Sequence, residues 1–350
     1  MPSLPRLVAL SLLVATTLAP APLRAQGTLV VANRADATVS LVGVRDRDVY
    51  ATIPTGFGPN ELAVSPDGRL ALVSNYGGPT APGNTLTLVD LAARGARATI
   101  SLGGHRRPHG IVWLPDGKRA LVTSEMDSSL LLVDVERQAV VGSARTGEGI
   151  SHMVVRSPDG RRAYVTNLGS GSLTAIDVPA MRVVKTVPLP AEPEGLDVTP
   201  DGRELWVTSR GADRVTVLDA ATLDTLASLA SPRFPVRVRI TPDGHDALVT
   251  NARSSELRIF DVRGRREVAT MRLRVDRAAL IGSARAEGWL DQTAPVGIAV
   301  SADGRTAFVA NAGADIVSVV DLRKRKVSGY ILVGREPYAM ALSPLAEENR

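Results

Sequence analysis

Three residues able to ligate a metal or move a proton recur at one spacing. His109, His152 and Glu194 are separated by 43 and 42 residues, and each stands seven residues ahead of an aspartate: Asp116, Asp159 and Asp201. Asn60 holds the same place ahead of Asp67. Two imidazoles and a carboxylate are a ligand set for zinc, copper or iron. A His/Glu pair can equally serve as general acid and base in lactone opening or elimination. Imidazoles more than about 8 Å apart would rule out a shared ion, because ligand bonds are only about 2 Å long.

What positions these residues is a repeat. Turn aspartates Asp67, Asp116, Asp159, Asp201, Asp243 and Asp303 each precede by eight residues the last residue of a strand-like VxN or VxS segment: Asn75, Ser124, Asn167, Ser209, Asn251 and Asn311. A seventh copy, VAN, ends at Asn33. The basic period is near 42, and one period reads as four alternating runs: HMVVRS (a), AYVTN (b), LTAIDV (c) and VVKTVP (d). Alternation with β-branched residues predicts strands. The PDG triplet predicts a tight a–b turn, and the Asn ending strand b and the Asp ending strand c are expected to make Asx turns. Seven copies predict an all-β, seven-bladed propeller of four-stranded antiparallel blades. The chain enters at a strand b and its last strand-like run is a lone strand a, PYAMALSP, so the two ends are expected to complete one blade.

The segment SPDGRRAYVTN (157–167) resembles the YVTN-type β-propeller family, in which PDGxxxYVTN recurs in blades of this length. The resemblance covers nearly all of residues 27–345 and implies the fold. It also implies kinship with surface and periplasmic binding proteins, lactonases, and the haem d1 and nitrous-oxide-reductase propellers. Fold alone does not choose among these. Four histidines cannot reproduce the many-histidine copper set of the last, and a haem d1 role would draw its axial ligand from His109 or His152.

Composition narrows the classes further. There is no cysteine, which excludes disulfides, thiolate metal sites and CxxCH haem attachment. Arg6 and the apolar run LVALSLLVATTLA read as a signal peptide over residues 1–25, predicting a periplasmic or secreted protein whose domain occupies residues 26–350. Its removal leaves 39 basic against 36 acidic side chains, a net charge of +3. With 12 aromatic residues as well, that balance argues against nucleic acid. No GxSxG, P-loop or HExxH occurs, and HRRPH (105–109) is denied a helix by Gly103, Gly104 and Pro108.

Two departures from the period mark one face. NYGGPTAPGN lengthens a b–c loop (insertion 76–84), and about 18 residues lengthen a d–a loop (about 275–292, with Trp289). In an up-and-down blade these loops share a mouth of the ring, opposite the PDG turns. Strand a starts there too, at Pro59, Pro108, Ser151, Pro193, Pro235, Pro295 and Pro337. The expected ligand residues are Asn60, His109, His152, Glu194, Arg237, Trp289 and Tyr338, with His109, His152 and Glu194 as metal ligands. Arg237 suits an anion, and Asp197 with Arg239 suits an ion pair across the channel wall. The expectation is an exported monomeric scaffold that binds a small ligand or protein at this mouth. The alternative is a lactonase- or lyase-like enzyme using the His/Glu cluster, with or without zinc or copper.

Overall fold

The computed structural model describes residues 27–275 and 292–345. Those residues form 28 strands in seven four-stranded antiparallel sheets. The inner strands are β4 (Pro59–Val64), β8 (Pro108–Trp113), β12 (Ser151–Arg156), β16 (Pro193–Val198), β20 (Pro235–Ile240), β24 (Pro295–Val300) and β28 (Pro337–Ser343). Each packs beside the next, and β24 lies against β28, which lies against β4, so the ring closes.

Closure follows the offset of the two chain ends. β1 (Thr28–Asn33) pairs antiparallel with β28, with Leu29 opposite Leu342 and Val31 opposite Met340. Apolar residues on both faces of the blades then fill the spaces between them. Leu29, Val31, Phe308, Val317 and Met340 form one such layer, and Val30, Leu41, Leu62, Val73 and Ala339 form another. Outer strands such as β15 (Arg182–Pro188) are largely exposed, which is why only the first three strands of each period read as strongly apolar.

The repeated polar residues prove to have distinct tasks. At the PDG turn Asp67 Oδ1 accepts from Arg69 N at 3.1 Å and from the Ser65 hydroxyl at 2.6 Å. The strand-c aspartates behave as expected: Asp177 Oδ1 accepts from Ala180 N at 2.9 Å. The strand-b asparagines depart from the Asx-turn expectation. Asn167 Nδ2 donates across the blade to Ser172 Oγ and Thr174 Oγ1, each at 2.9 Å, so it ties strand b to strand c inside the blade.

The 76–84 insertion also differs from the loop expected of it. β5 (Leu70–Gly77) and β6 (Pro82–Asp90) extend to eight and nine residues, against six in most b and c strands, and Gly77 pairs with Pro82. Gly77 has φ 86°, and a Cβ there would lie 2.1 Å from Gly83 N, so the hairpin tip requires glycine. The second insertion and Trp289 lie outside the described residues, apart from its ends.

Candidate functional site

Two backbone devices fix the mouth. In all seven blades the residue before strand a has positive φ: Gly58, Arg107, Ile150, Glu192, Phe234, Ala294 and Glu336, between 46° and 73°. Six of these are not glycine, and a side chain in that region costs roughly 1–2 kcal/mol. The conformation is held because its carbonyl accepts from the N–H just past strand b, as in Glu125 N to Arg107 O (3.1 Å) and Arg210 N to Glu192 O (3.0 Å). The second device is the threonine of VTN and VTS. Thr123 donates to His152 O at 2.5 Å, Thr166 to Glu194 O at 3.0 Å, Thr208 to Val236 O at 3.0 Å and Thr250 to Val296 O at 2.8 Å. Each hydroxyl also accepts from its own inner strand, Gly110 N at 2.8 Å for Thr123. The motif therefore staples the inner strands from β8 to β24 each to the next and sets the height at which His152 and Glu194 begin.

On that frame sits a buried chain of alternating charge. His152 Nδ1 lies 2.6 Å from Glu125 Oε1, and its Nε2 lies 2.9 Å from Glu194 Oε1. The same Glu194 oxygen accepts from Arg237 at 2.8 Å, and the other guanidinium nitrogen of Arg237 pairs with Glu61. Glu194 Oε2 is 2.9 Å from Arg210, close enough for an ion pair though off the hydrogen-bond line. Tyr76 donates to Glu125 Oε2 at 2.6 Å, with the Arg107 guanidinium 5.3 Å from the Tyr76 ring. His109 stacks on His152 with ring centroids 3.9 Å apart. Tyr338 stands between Arg34 and Arg237, 5.3 and 5.8 Å from its ring. Glu194 is wholly buried, and His109 is 2% and His152 5% exposed.

The two histidines carry different charges. Burial alone would make each imidazole neutral. At His109 burial prevails, reinforced by the neighbouring His152 charge, and the ring is held well below 6.5. At His152 the Glu194 and Glu125 carboxylates outweigh burial and push the ring up to about 9. Burial would raise Glu194, yet His152, Arg237 and Arg210 hold it well below the usual carboxylate range. Arg237, which burial would lower, is held above its ordinary value by Glu61 and Glu194. Burial pushes the Tyr76 and Tyr338 phenols up to about 12. A neutral ring stacked on a charged one avoids like-charge repulsion.

These directions fix a pH dependence for the chelator-treated protein. His152, raised in the fold, stabilises fully below about 6.5 and loses that contribution as pH rises through about 9. The loss is on the order of 3 kcal/mol. His109, lowered in the fold, takes up its proton only on unfolding, so stability also declines as pH falls below about 6.5. Glu194 contributes above about 4.5 and loses its share as pH falls through its depressed value. Urea midpoints should therefore peak near pH 6.5. A midpoint that climbs steadily from pH 6.5 to 9 would contradict the charge assignment.

Of the residues expected from the sequence, His109, His152, Glu194, Arg237 and Tyr338 share this network, and Asn60 is buried beside Glu61, its Oδ1 without a partner. Glu194 lies outside the one His/Asp/Glu cluster of metal-ligating spacing among the described residues. Its oxygens face His152, Arg237 and Arg210, whereas ligand atoms of His109, Glu125 and His152 lie within 4.8 Å of one another. Glu125, Arg210 and Tyr76 are not among the expected residues, although all three occupy one repeat position, immediately after the VxN or VxS motif. Asp197 and Arg239 do pair, at 3.5 Å, at the opposite end of the channel. A cavity of about 470 Å³ opens there, and one of about 610 Å³, lined by Tyr50, Arg69, Arg94 and Arg97, lies toward the PDG-turn face. Neither is lined by a residue of the buried network.

A model of the YNCE-like beta-propeller family matches residues 133–229. The chain is similar to Kuenenia stuttgartiensis hydrazine synthase, at 20% identity over 82% of this chain and 90% of that one, with a TM-score of 0.68. It is also similar to a functionally unknown protein from Desulfotomaculum acetoxidans, at 14% identity over 90% and 98% of the two chains, with a TM-score of 0.70. No curated protein matches. At such identities these likenesses speak to fold, and together with the ring of 28 strands they make this chain a seven-bladed β-propeller with a YNCE-like stretch at its centre.

Proposed function

We propose that the chain is a binding scaffold that takes a small polar ligand, or the polar tip of a protein partner, at the mouth where the inner strands begin. The observation that supports this best is a set of buried polar atoms there without partners: Asn60 Oδ1, His109 Nδ1 and Arg107 Nε. Buried groups left unpaired cost about 1–3 kcal/mol each, so a ligand that pairs with them recovers that energy. The charge network around them is already ordered, which lowers the entropic cost of binding. The enzymatic alternative has less support. A general base works best with its pKa near the operating pH. Here His109 is held well below 6.5 and His152 is charged with both nitrogens engaged.

A thermal-shift screen of small polar metabolites tests the reading. A ligand at 100 times its Kd stabilises by about 2.7 kcal/mol. That gain should largely vanish in His109→Phe and Arg107→Met. Equal shifts in wild type and both variants would place binding elsewhere.

A further inference from the structure

We infer that His109, Glu125 and His152 bind one divalent transition-metal ion of the zinc or copper class. This deepens the reading of the mouth as a binding site, on which it rests, by naming a ligand class for it. Three candidate ligand atoms, one from each residue, lie within 4.8 Å of one another, and all three residues are buried. Bonds of about 2.0–2.1 Å to one tetrahedral ion place ligand atoms roughly 3.3 Å apart. Side-chain shifts of about 1 Å close that difference, with His152 Nδ1 and Glu125 Oε1 opening from 2.6 Å as the ion displaces the Nδ1 proton to solvent. His109 Nδ1 has no partner. A ligand set of two nitrogens and one carboxylate oxygen leaves a fourth position for water or an organic ligand.

The surroundings supply what a metal centre needs behind its ligands. A ligating imidazole commonly holds its other ring nitrogen against a carboxylate, which fixes the tautomer and orientation. Glu194 does this for His152 Nε2 at 2.9 Å, and Arg237 and Arg210 hold Glu194 in turn. A ligating carboxylate is likewise fixed through its second oxygen, and Tyr76 donates to Glu125 Oε2 at 2.6 Å. The chain Tyr76–Glu125–ion–His152–Glu194 thus assigns Glu194 an orienting role and explains why it stands away from the ligand set. The hairpin extension that brings Tyr76 gains a purpose.

Calorimetric titration of the full chain with zinc chloride, after chelator treatment, decides the matter. One site per chain is expected in wild type. It should be lost in His109→Ala and Glu125→Gln, weakened about 10–100-fold in Tyr76→Phe, and retained in the His105→Ala/His245→Ala double variant. Copper loading should give an electron paramagnetic resonance signal split by two nitrogens. Thermal melts establish that each variant folds, and Tyr76→Phe, which removes only a hydroxyl, carries the test if the others do not. No uptake by wild type, equal uptake by Tyr76→Phe, or loss confined to the His105/His245 variant would overturn the inference. Absent zinc uptake alongside a retained organic-ligand shift would overturn the metal site alone. Zinc uptake with no organic ligand found would leave the metal site standing and overturn the broader reading.

Discussion

Deleting residues 336–350 is expected to abolish cooperative unfolding. The deletion removes β28, which pairs along β1 and carries the buried Ala339 and Met340. It also uncovers Leu29, Val30 and Val31, all fully buried in the intact ring. Burial of each large apolar side chain contributes about 1.5–3 kcal/mol, so losing several of them approaches the 5–15 kcal/mol that holds a typical domain together. The gap also leaves β1 as an open edge. Far-UV circular dichroism against temperature and urea measures the outcome. A sigmoidal melt within a few degrees of the intact protein would mean that β28 does not clasp the ring.

Replacing Glu194 by Ala is expected to cost about 3–5 kcal/mol, the range for removing one partner of a buried ion pair. The loss is large because three cations, His152, Arg237 and Arg210, would face one another without the carboxylate between them. Arg237→Met alone strands the buried Glu61 and takes one of its three cations from Glu194, and should cost a similar amount. The double variant Glu194→Leu/Arg237→Met should be less damaging than the sum of the singles, since the carboxylate and the guanidinium that face each other are then removed together, and only their outer partners Glu61, His152 and Arg210 lose a contact. Urea midpoints at pH 7 in chelator give the coupling energy. Additivity within about 0.5 kcal/mol would deny that these residues act as one network.

The blade count and the clasp were legible because both are written in local signals. PDG punctuates five a–b turns and ADG (302–304) a sixth, a VxN or VxS motif recurs in every strand b, and the strand-a register puts His109, His152 and Glu194 at one height on successive blades. Other parts of the site were not legible, for physical reasons. Glu125 and Arg210 sit one residue beyond strand b, where direction is set by the left-handed residue opposite and not by strand alternation. A signal did exist: Arg34, Tyr76, Glu125 and Arg210 all fill that one position, and four polar or aromatic residues at a repeated place merit the same attention as the strand-a starts. The partners of Glu194, namely His152, Arg237 and Arg210, were not legible because sequence gives position along a strand but not which neighbour claims a carboxylate. The asparagine of VTN misled similarly, since its cross-strand partners Ser172 and Thr174 are visible only once strand c is folded beside it.

The clasp also imposes an order in time. Within the ring β1 is synthesised first, and its inner partner β28 last, some 300 residues later. At about 5–20 residues per second, the ribosome delivers that partner roughly 15–60 seconds after β1. Through that interval β1 (TLVVAN, every residue buried in the finished ring) must wait with one edge unpaired. Six blades can zip from their own contiguous residues while the seventh cannot. Until β28 arrives, the ring therefore keeps one apolar strand edge open that only the most distant part of its own sequence can close.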